Sequence, residues 1–578
     1  VANDTIASAG SPGSDGTGFG VPDPKRWLAL AVILVAGFMD LLDSTIVNVA
    51  IPSMQKDLNA QYSDLEWIVA AYAIAFAAML ITGGRLGDIF GRKRLFLIGV
   101  AGFTIASTLC GVAPSPTLLI LARFLQGVMA ALMVPQILSI IHVTFPPSER
   151  GKVFGMFGGI VGSAAVAGHI FGGLLVQWNV FSLEWRPIFL VNIPVGAAAL
   201  VAGAVYIRES HSPTAPRLDI VGVAIAVVGI LMIVYPLTEG RALGWPWWSY
   251  ALMAGAIPVF AVFWAFEKRR TERVGSPLVV LSLFKVRSFD AGLLVYLLFN
   301  IALGGFFLVW TLYMQIGLGW TPVHAGLTAV SFAFGAAPAA GVSVQLLTPK
   351  FGRRVLMAGA LLNAVGFGGY IWCSDHYGMG ISSWQMAIPL VVAGMGFGMV
   401  VAPVADVVLS TVPREDAGSA SGLFSTAQQL GLALGVALIG VLFFAQLAGN
   451  AGHAVDQTTP QLRSQLTAAH VPDPIQDQIT AGYRACVTDR SSAPDPTATP
   501  SSCQVLAAQS ARMSPGLAAQ VARDVTDAGR RANGKNFAHA FDASLWLAIA
   551  ILILVFLGMF ALPRQVRVLP EGEFATVG

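Results

Sequence analysis

The chain has 578 residues, 55% of them hydrophobic and only 11% Asp, Glu, Lys or Arg, less than half the roughly 25% usual in soluble proteins. With a mean hydropathy of +0.70, most of it must lie where charge is penalised, which excludes an ordinary soluble enzyme and makes lipid the natural solvent. The 34 basic and 31 acidic residues nearly cancel to a net +3, so no global basic field exists to bind nucleic acid, and the position of each charge becomes the informative quantity.

Residues 1–24, rich in Gly, Ser, Pro and Asp, read as a disordered tail and not as a leader, having neither a basic start nor an apolar run. Fourteen apolar blocks follow, at about 27–51, 66–84, 95–113, 117–141, 153–177, 186–207, 218–237, 249–267, 289–314, 324–347, 354–372, 385–411, 417–446 and 541–562, each long enough to cross a bilayer as a helix. An even count places both termini on one side. The basic residues say which, because short cytoplasmic loops accumulate Lys and Arg. Lys25, Arg26, Arg85, Arg92, Lys93, Arg94, Arg150, Lys152, Lys268, Arg269 and Arg270 share the side of the amino terminus, whereas the opposite short loops carry only Lys56, Arg186 and Arg241. Both termini are therefore expected in the cytoplasm. Trp245, Trp247 and Trp248, in an outer loop, suit an interfacial belt better than a binding cage.

The outward-facing segment 447–540 is the one sizeable piece outside the membrane. It contains Cys486 and Cys503, which suggest a disulfide on the oxidising side, the alternative being two free thiols. It could form a cap over the outer mouth or be a helical hairpin without a role in transport. No GxxxxGK[ST] loop, HExxH, close His/Cys/carboxylate cluster or TVGYG filter occurs, so neither ATP hydrolysis nor a metal is expected. The chain reads as a secondary transporter driven by an ion gradient, with no cofactor.

A few ionisable groups remain inside the apolar blocks. Asp40 and Asp43 lie one turn apart on the first helix, so both carboxylates share a face. Burial and mutual repulsion raise an acid's proton affinity and a nearby arginine lowers it, so the two would titrate as a coupled unit able to load and release a proton. Arg123 in the fourth block needs a partner or a wet cavity, and it is expected in the same relay. At the end of the second block, Gly84-Arg85-Leu86-Gly87-Asp88-Ile89-Phe90-Gly91-Arg92-Lys93-Arg94 makes a tight basic turn whose one acid, Asp88, can cap a helix or pair with an arginine across an interface. The fifth block carries Gly162, Gly168, His169, Gly172 and Gly173, whose glycines permit close packing between halves; His169 could titrate near neutral pH or simply pack. Asp406 is a further candidate for substrate or proton binding. Gln126, Gln136, Asn300, Tyr313, Gln428 and Gln429 could line a cavity, although any one of them could equally pack between helices or face lipid.

The turn at Gly84–Lys93 resembles the Gly-x-Leu-x-Asp-x-x-Gly-Arg-Lys signature of the major facilitator superfamily. A degraded echo, Lys350-Phe351-Gly352-Arg353-Arg354, follows the tenth block with Pro349 in the acid's place, as expected if a second six-helix half repeats the first and only the first copy supplies a full latch of Gly84, Asp88, Gly91, Arg92 and Lys93. Leu42–Pro52 is similar to the Leu-Asp-x-Thr-x-x-Asn-x-Ala-Leu-Pro stretch of the fourteen-helix drug:proton antiporters. Trp185-Arg186-Pro187-Ile188-Phe189-Leu190-Val191-Asn192-Ile193-Pro194-Val195-Gly196 is close to another of their signatures, with Pro187 for a tryptophan. Arg123-Phe124-Leu125-Gln126-Gly127 looks like their Arg-x-x-Gln-Gly, and Gly168–Gly173 like the antiporter motif ending Gly-Pro-x-x-Gly-Gly, with His169 in place of proline.

What the resemblance implies is an all-α integral membrane protein of the major facilitator fold. Its parts would be a first half at 25–210, two inserted helices at 211–275, five helices of a second half at 276–446, the outer loop, a last helix at 541–562 and a cytoplasmic tail at 563–578. It would be a monomeric proton-coupled exporter of amphipathic or aromatic drugs or antibiotics in a bacterial cell membrane, its partners being that small molecule, protons and lipid. The alternatives are a symporter or uniporter for a small nutrient and, more distantly, a sensor that binds ligand without transport.

Overall fold

The structure is a computed structural model; it describes residues 24–60, 62–179, 182–211, 219–240, 243–274, 278–410, 412–413, 416–493, 499–510 and 513–563. Of the two expected tails, 1–24 and 563–578, residues 1–23 and 564–578 fall outside these, as do the surroundings of Gly162 and the side chain of His169 within the fifth block. Among the described residues every regular element is helical.

The first half comprises α1 (Arg26–Leu58), α2 (Tyr62–Phe90), α3 (Arg92–Gly111), α4 (Pro116–Thr144), α5 (Pro147–Trp178), the single turn α6 (Pro187–Leu190) and α7 (Asn192–Tyr206). Then come the inserted pair, α8 (Ile220–Glu239) and α9 (Trp247–Val274). The second half is α10 (Arg287–Leu312), α11 (Pro322–Val342), α12 (Thr348–Phe351), α13 (Arg353–Tyr377), α14 (Ser383–Ser410), α15 (Ala417–Ala468) and α18 (Pro515–Gly558), with α16 (Asp473–Ser492) and α17 (Ser501–Ser510) between the last two. Thirteen helices among the described residues are long and apolar enough to cross a membrane, and α5, 32 residues long, fills the place of the fifth predicted block, in keeping with fourteen.

Local chemistry sets the boundaries. Ser115 caps α4 by accepting from the Leu118 amide with Pro116 at the first position, and Thr321 and Pro322 open α11 in the same way. Asp219 caps α8 through the Gly222 amide. The break between α2 and α3 falls at Gly91, with φ of +106°, and the corresponding break before α13 falls at Gly352, with φ of +56°, so the basic turn and its echo share a backbone device that only glycine adopts cheaply.

Within the first half α4 packs on α2 and α3, and α1 on α5 and α7; within the second, α14 packs on α11 and α13, and α15 on α10 and α18. The halves meet along two seams, α5 against α11 and α14, and α15 against α2 and α4. Both seams rest on small residues. Gly155 sits against Gly341, and a Cβ on Gly84 would run into the backbone of Gly418 and Gly422. The inserted helix α8 lies over the α2 and α15 seam, with Trp67 of α2 6.0 Å from Tyr235, while α9 packs chiefly on α8.

The segment 447–540, expected as an outer loop that could fold as a cap or a helical hairpin, is helical: α15 runs on for 52 residues and α18 for 44, far beyond the roughly 20 that a bilayer needs. The polar stretch keeps a helical period, burying Ala451, Val455, Thr458, Leu462 and Leu466 at steps of three or four with Ala454 beside them, and this face packs with Ile479, Tyr483, Val521 and Ala528 into a small core. Cys486 and Cys503 are disulfide-bonded and join α16 to α17.

The small-residue seam makes a quantitative prediction. Gly84→Leu should destabilise by about 1–3 kcal/mol through overpacking, seen as a midpoint several degrees lower in thermal unfolding of the detergent-purified chain. Gly449→Ala, at a position on α15 with open space around it, should not lower the midpoint.

Candidate functional site

Asp43 stands mid-helix on α1, where α1, α4 and α7 converge, and it is fully buried. One oxygen accepts from Arg123 Nη1 at 2.5 Å; the other accepts from Gln126 Nε2 at 2.9 Å and Asn192 Nδ2 at 2.8 Å. Arg123, one helical turn before Gln126 on α4, also donates to Gln126 Oε1 at 2.7 Å and to the Ile68 carbonyl at 3.2 Å. Its guanidinium lies 4.4 Å from the Tyr72 ring centre and 5.7 Å from that of Phe189. The hydroxyl of Tyr72 donates to Asp40 at 2.5 Å. Asn192 is steadied in turn by Ser107, whose hydroxyl donates to the Phe189 carbonyl at 2.9 Å.

The two acids on one face of α1 therefore divide their partners: Asp43 ties α1 to α4 and α7, and Asp40 ties it to α2. A buried carboxylate and guanidinium persist in an apolar interior only when paired and hydrogen-bonded, and here both oxygens of Asp43 are engaged. Protonating the carboxylate would remove the charge that justifies the arginine, so the arrangement can convert a proton into a rearrangement of helices.

At the far end of α2 a second charged group spans the halves. Asp88, fully buried, accepts from Arg92 Nη2 at 2.6 Å and from the backbone amides of Gly418 and Ser419 at 3.1 and 3.2 Å, with Arg85 Nη1 at 3.9 Å. It thus satisfies first-turn N–H groups of α15, where the helix dipole also favours an anion. Ser139 and His142 of α4 reach the carbonyls of Ala417 and Val412 from the same side. Of the residues expected in the latch, Gly84, Asp88, Gly91 and Arg92 assemble there. Lys93 does not cross to the other half: it donates to the Ala204 carbonyl at 2.6 Å, and the Lys93 and Arg94 amides donate to Glu209. The echo behaves as its missing acid implies, with Arg353 donating to the carbonyls of Phe560 and Leu562 within its own half.

The remaining candidates disperse. Gln126 belongs to the Asp43 network and Gln136 donates to the Gly83 carbonyl, so neither is a free cavity group. Asn300 donates to the Tyr296 carbonyl of its own helix and packs against Gly431, three residues from Gln428 on α15. Tyr313 stacks on Phe541 at 4.6 Å near the opposite end of the second half, and Asp406 lies on α14 with Arg150 as the charge acting on it. The glycines of the fifth block also divide: Gly173 meets Val323 across the halves, whereas Gly168 packs against Thr45 of α1 within the first half, correcting the expectation that both join the halves. Gly172 is buried. Trp248 stacks on Tyr235 at 6.0 Å and Trp245 lies 5.9 Å from Tyr250, while Trp247 is exposed.

Sequence reasoning missed Tyr72 and Ser107, which sit in apolar stretches without distinguishing neighbours. Asn192 carried a signal, since it stands in the Trp185–Gly196 motif.

Two helical halves joined along small-residue seams, a repeated basic turn and a buried ion pair within one half define a polytopic membrane carrier. The sequence model of the Major Facilitator Superfamily matches residues 33–220 and 217–436, and the chain belongs to that family. It is 40% identical over 557 residues to the probable actinorhodin transporter of Streptomyces coelicolor, covering 96% of this chain and 95% of that one. With the tetracenomycin C resistance and export protein of Streptomyces glaucescens it shares 37% identity over 72% of this chain and 76% of the relative. Among solved structures, the human organic anion transporter MFSD10 superposes with a TM-score of 0.53 at 15% identity, covering 73% of this chain and 94% of that one, a likeness of fold alone. The chain is a multi-pass transporter of the superfamily's drug-efflux branch.

The latch geometry can be tested with a buried reporter. Asp88→Asn should raise the alkylation rate of a Ser421→Cys thiol by about tenfold, the population shift expected for roughly 1.4 kcal/mol, whereas Lys93→Gln should leave it nearly unchanged.

Proposed function

We propose that the chain is a monomeric antiporter that exports amphipathic small molecules of the drug or antibiotic class, driven by protons moving inward, from a bacterial cell whose cytoplasm holds both termini. The observation that carries this reading is the buried Asp43 and Arg123 pair, with Asp40 and Tyr72 behind it, in a chain whose relatives are named as exporters and resistance proteins.

Asp43 is the proton acceptor. Protonation cancels the charge that holds Arg123 Nη1, while Gln126 and the Ile68 carbonyl keep the guanidinium in place. The link of α1 to α4 and α7 is thereby weakened, and α1 can shift against them. Asp40, held by Tyr72, forms the next stop on the α2 side. The latch at Asp88 then marks the cytoplasmic end, so the state described is closed towards the cytoplasm, and alternating access consists of breaking the Asp88 contacts with Gly418 and Ser419. Each charge that moves inward down the membrane potential gains about 2.3 kcal/mol per 100 mV, enough to concentrate a substrate outside.

Reconstitution into proteoliposomes with an imposed pH gradient, using a panel of aromatic antibiotics and dyes, tests this. The wild type should move compounds against the proton flow, and Asp43→Asn should lose at least about tenfold of the gradient-driven rate, with Arg123→Ala equally impaired. Undiminished proton-driven flux in Asp43→Asn would overturn the assignment of Asp43, and accumulation in the direction of the protons would make the chain a symporter.

A further inference from the structure

Where α15 and α18 leave the bundle, they and the short helices α16 and α17 enclose a cavity of about 740 Å³. It lies between the turn that follows α10, through Ile316 and Gly319, and the disulfide of Cys486 and Cys503. Its walls are apolar, including Phe444, Leu447, Tyr483, Val487, Leu506 and Phe537, and its room comes from small residues, Ala507, Ala518, Ala522 and Gly529. That volume is in the range of pockets that hold drug-sized ligands, roughly 300–1,000 Å³. The cap's core, built on Val455, Leu462, Leu466 and Ile479, shares Tyr483, Val487 and Leu506 with this cavity, so that core forms one of its walls.

The polar groups at the cavity point to a charge. Arg490 and Arg530 line it together with Ser491, Thr526 and Asn533, and no described acidic residue does. Elsewhere in the cap Arg463 pairs with Asp477, Arg484 with Asp456 and Arg531 with Gln465, while the exposed Arg523 shows no partner among the described residues. Arg490 and Arg530 have no such partner among the described residues. Two uncompensated guanidinium groups beside an aromatic-walled cavity match a flat apolar body bearing a carboxylate, phenolate or sulfonate.

We infer that this cavity is a binding site for amphipathic aromatic anions. That such a ligand is exported cargo rests on the transport reading above; the binding itself does not.

The test uses the full oxidised chain in nanodiscs of phosphatidylcholine. Ala522→Cys places a thiol in the cavity, Cys110 and Cys373 being buried, and its alkylation by a membrane-impermeant maleimide is timed with and without 1-pyrenebutyrate. The acid should slow alkylation at least about fivefold and saturably, and 1-pyrenebutanol should protect less; Arg490→Gln with Arg530→Gln should raise the half-protecting concentration by about tenfold. A Gly449→Cys thiol, on the open face of α15, should react at the same rate throughout. Protection should survive Asp43→Asn, which separates this result from the fate of the transport reading. Unaltered alkylation of Ala522→Cys would overturn the site. Equal protection by acid and alcohol, or indifference to the arginine substitutions, would overturn the ligand class. Protection that appears without probe when phosphatidylglycerol is added would give the cavity to a lipid instead.

Discussion

A single carboxylate fastens one of the two seams on which the halves meet. Asp88 leaves the end of α2 and terminates in the first turn of α15, where amide groups without intrahelical partners and a favourable dipole await an anion. Its charge is tolerated at complete burial because Arg92 and Arg85 flank it. The contact also requires backbones at close range, which is why Gly84 and Gly418 face each other without side chains, and why Glu209 can approach Gly91 from below to hold the start of α3. The inserted helix α8 covers this seam from the lipid side.

The Asp43 network is of the opposite kind, confined to one half and spanning its helices. Yet the two sites share two rigid elements. Tyr72, which holds Asp40, lies on the same helix as Asp88; Arg123 and Gln126 lie on the same helix as Gln136, Ser139 and His142, which reach Gly83, Ala417 and Val412 near the latch. A displacement of α2 or α4 at the Asp43 network would therefore be felt at the seam without an intermediary. This is a physical connection between the sites through two helices, each of which contacts α15.

Much of this was legible in the residues because the cost of charge in lipid leaves few places for it. Asp40, Asp43, Arg123 and Asp88 stood out as ionisable groups within apolar stretches, and the spacing of Asp40 and Asp43 put them on one face. Their partners were less visible. Tyr72 and Ser107 have no pattern around them, since a hydroxyl in an apolar helix is common and acquires meaning only from the group that packs against it. The cavity candidates were less legible for a related reason: periodicity does not distinguish a polar side chain facing a cavity from one bonded to its own helix, as Asn300 is, or stacked on a neighbour, as Tyr313 is. The outer segment misled because its composition is that of a loop, whereas its small and apolar residues recur at helical steps from Ala451 to Leu466.

That continuity has mechanical meaning. At about 1.5 Å per residue, α15 is roughly 78 Å long, more than twice the hydrocarbon thickness of about 30 Å. With α18 beside it, it forms a stiff mast rooted at one end in the seam that Asp88 fastens and ending in a disulfide-braced head. Any rocking of the second half would be magnified along the mast, so that a tilt of about 10° would carry the far end through roughly 14 Å. The head is thus a pointer to the tilt of the second half.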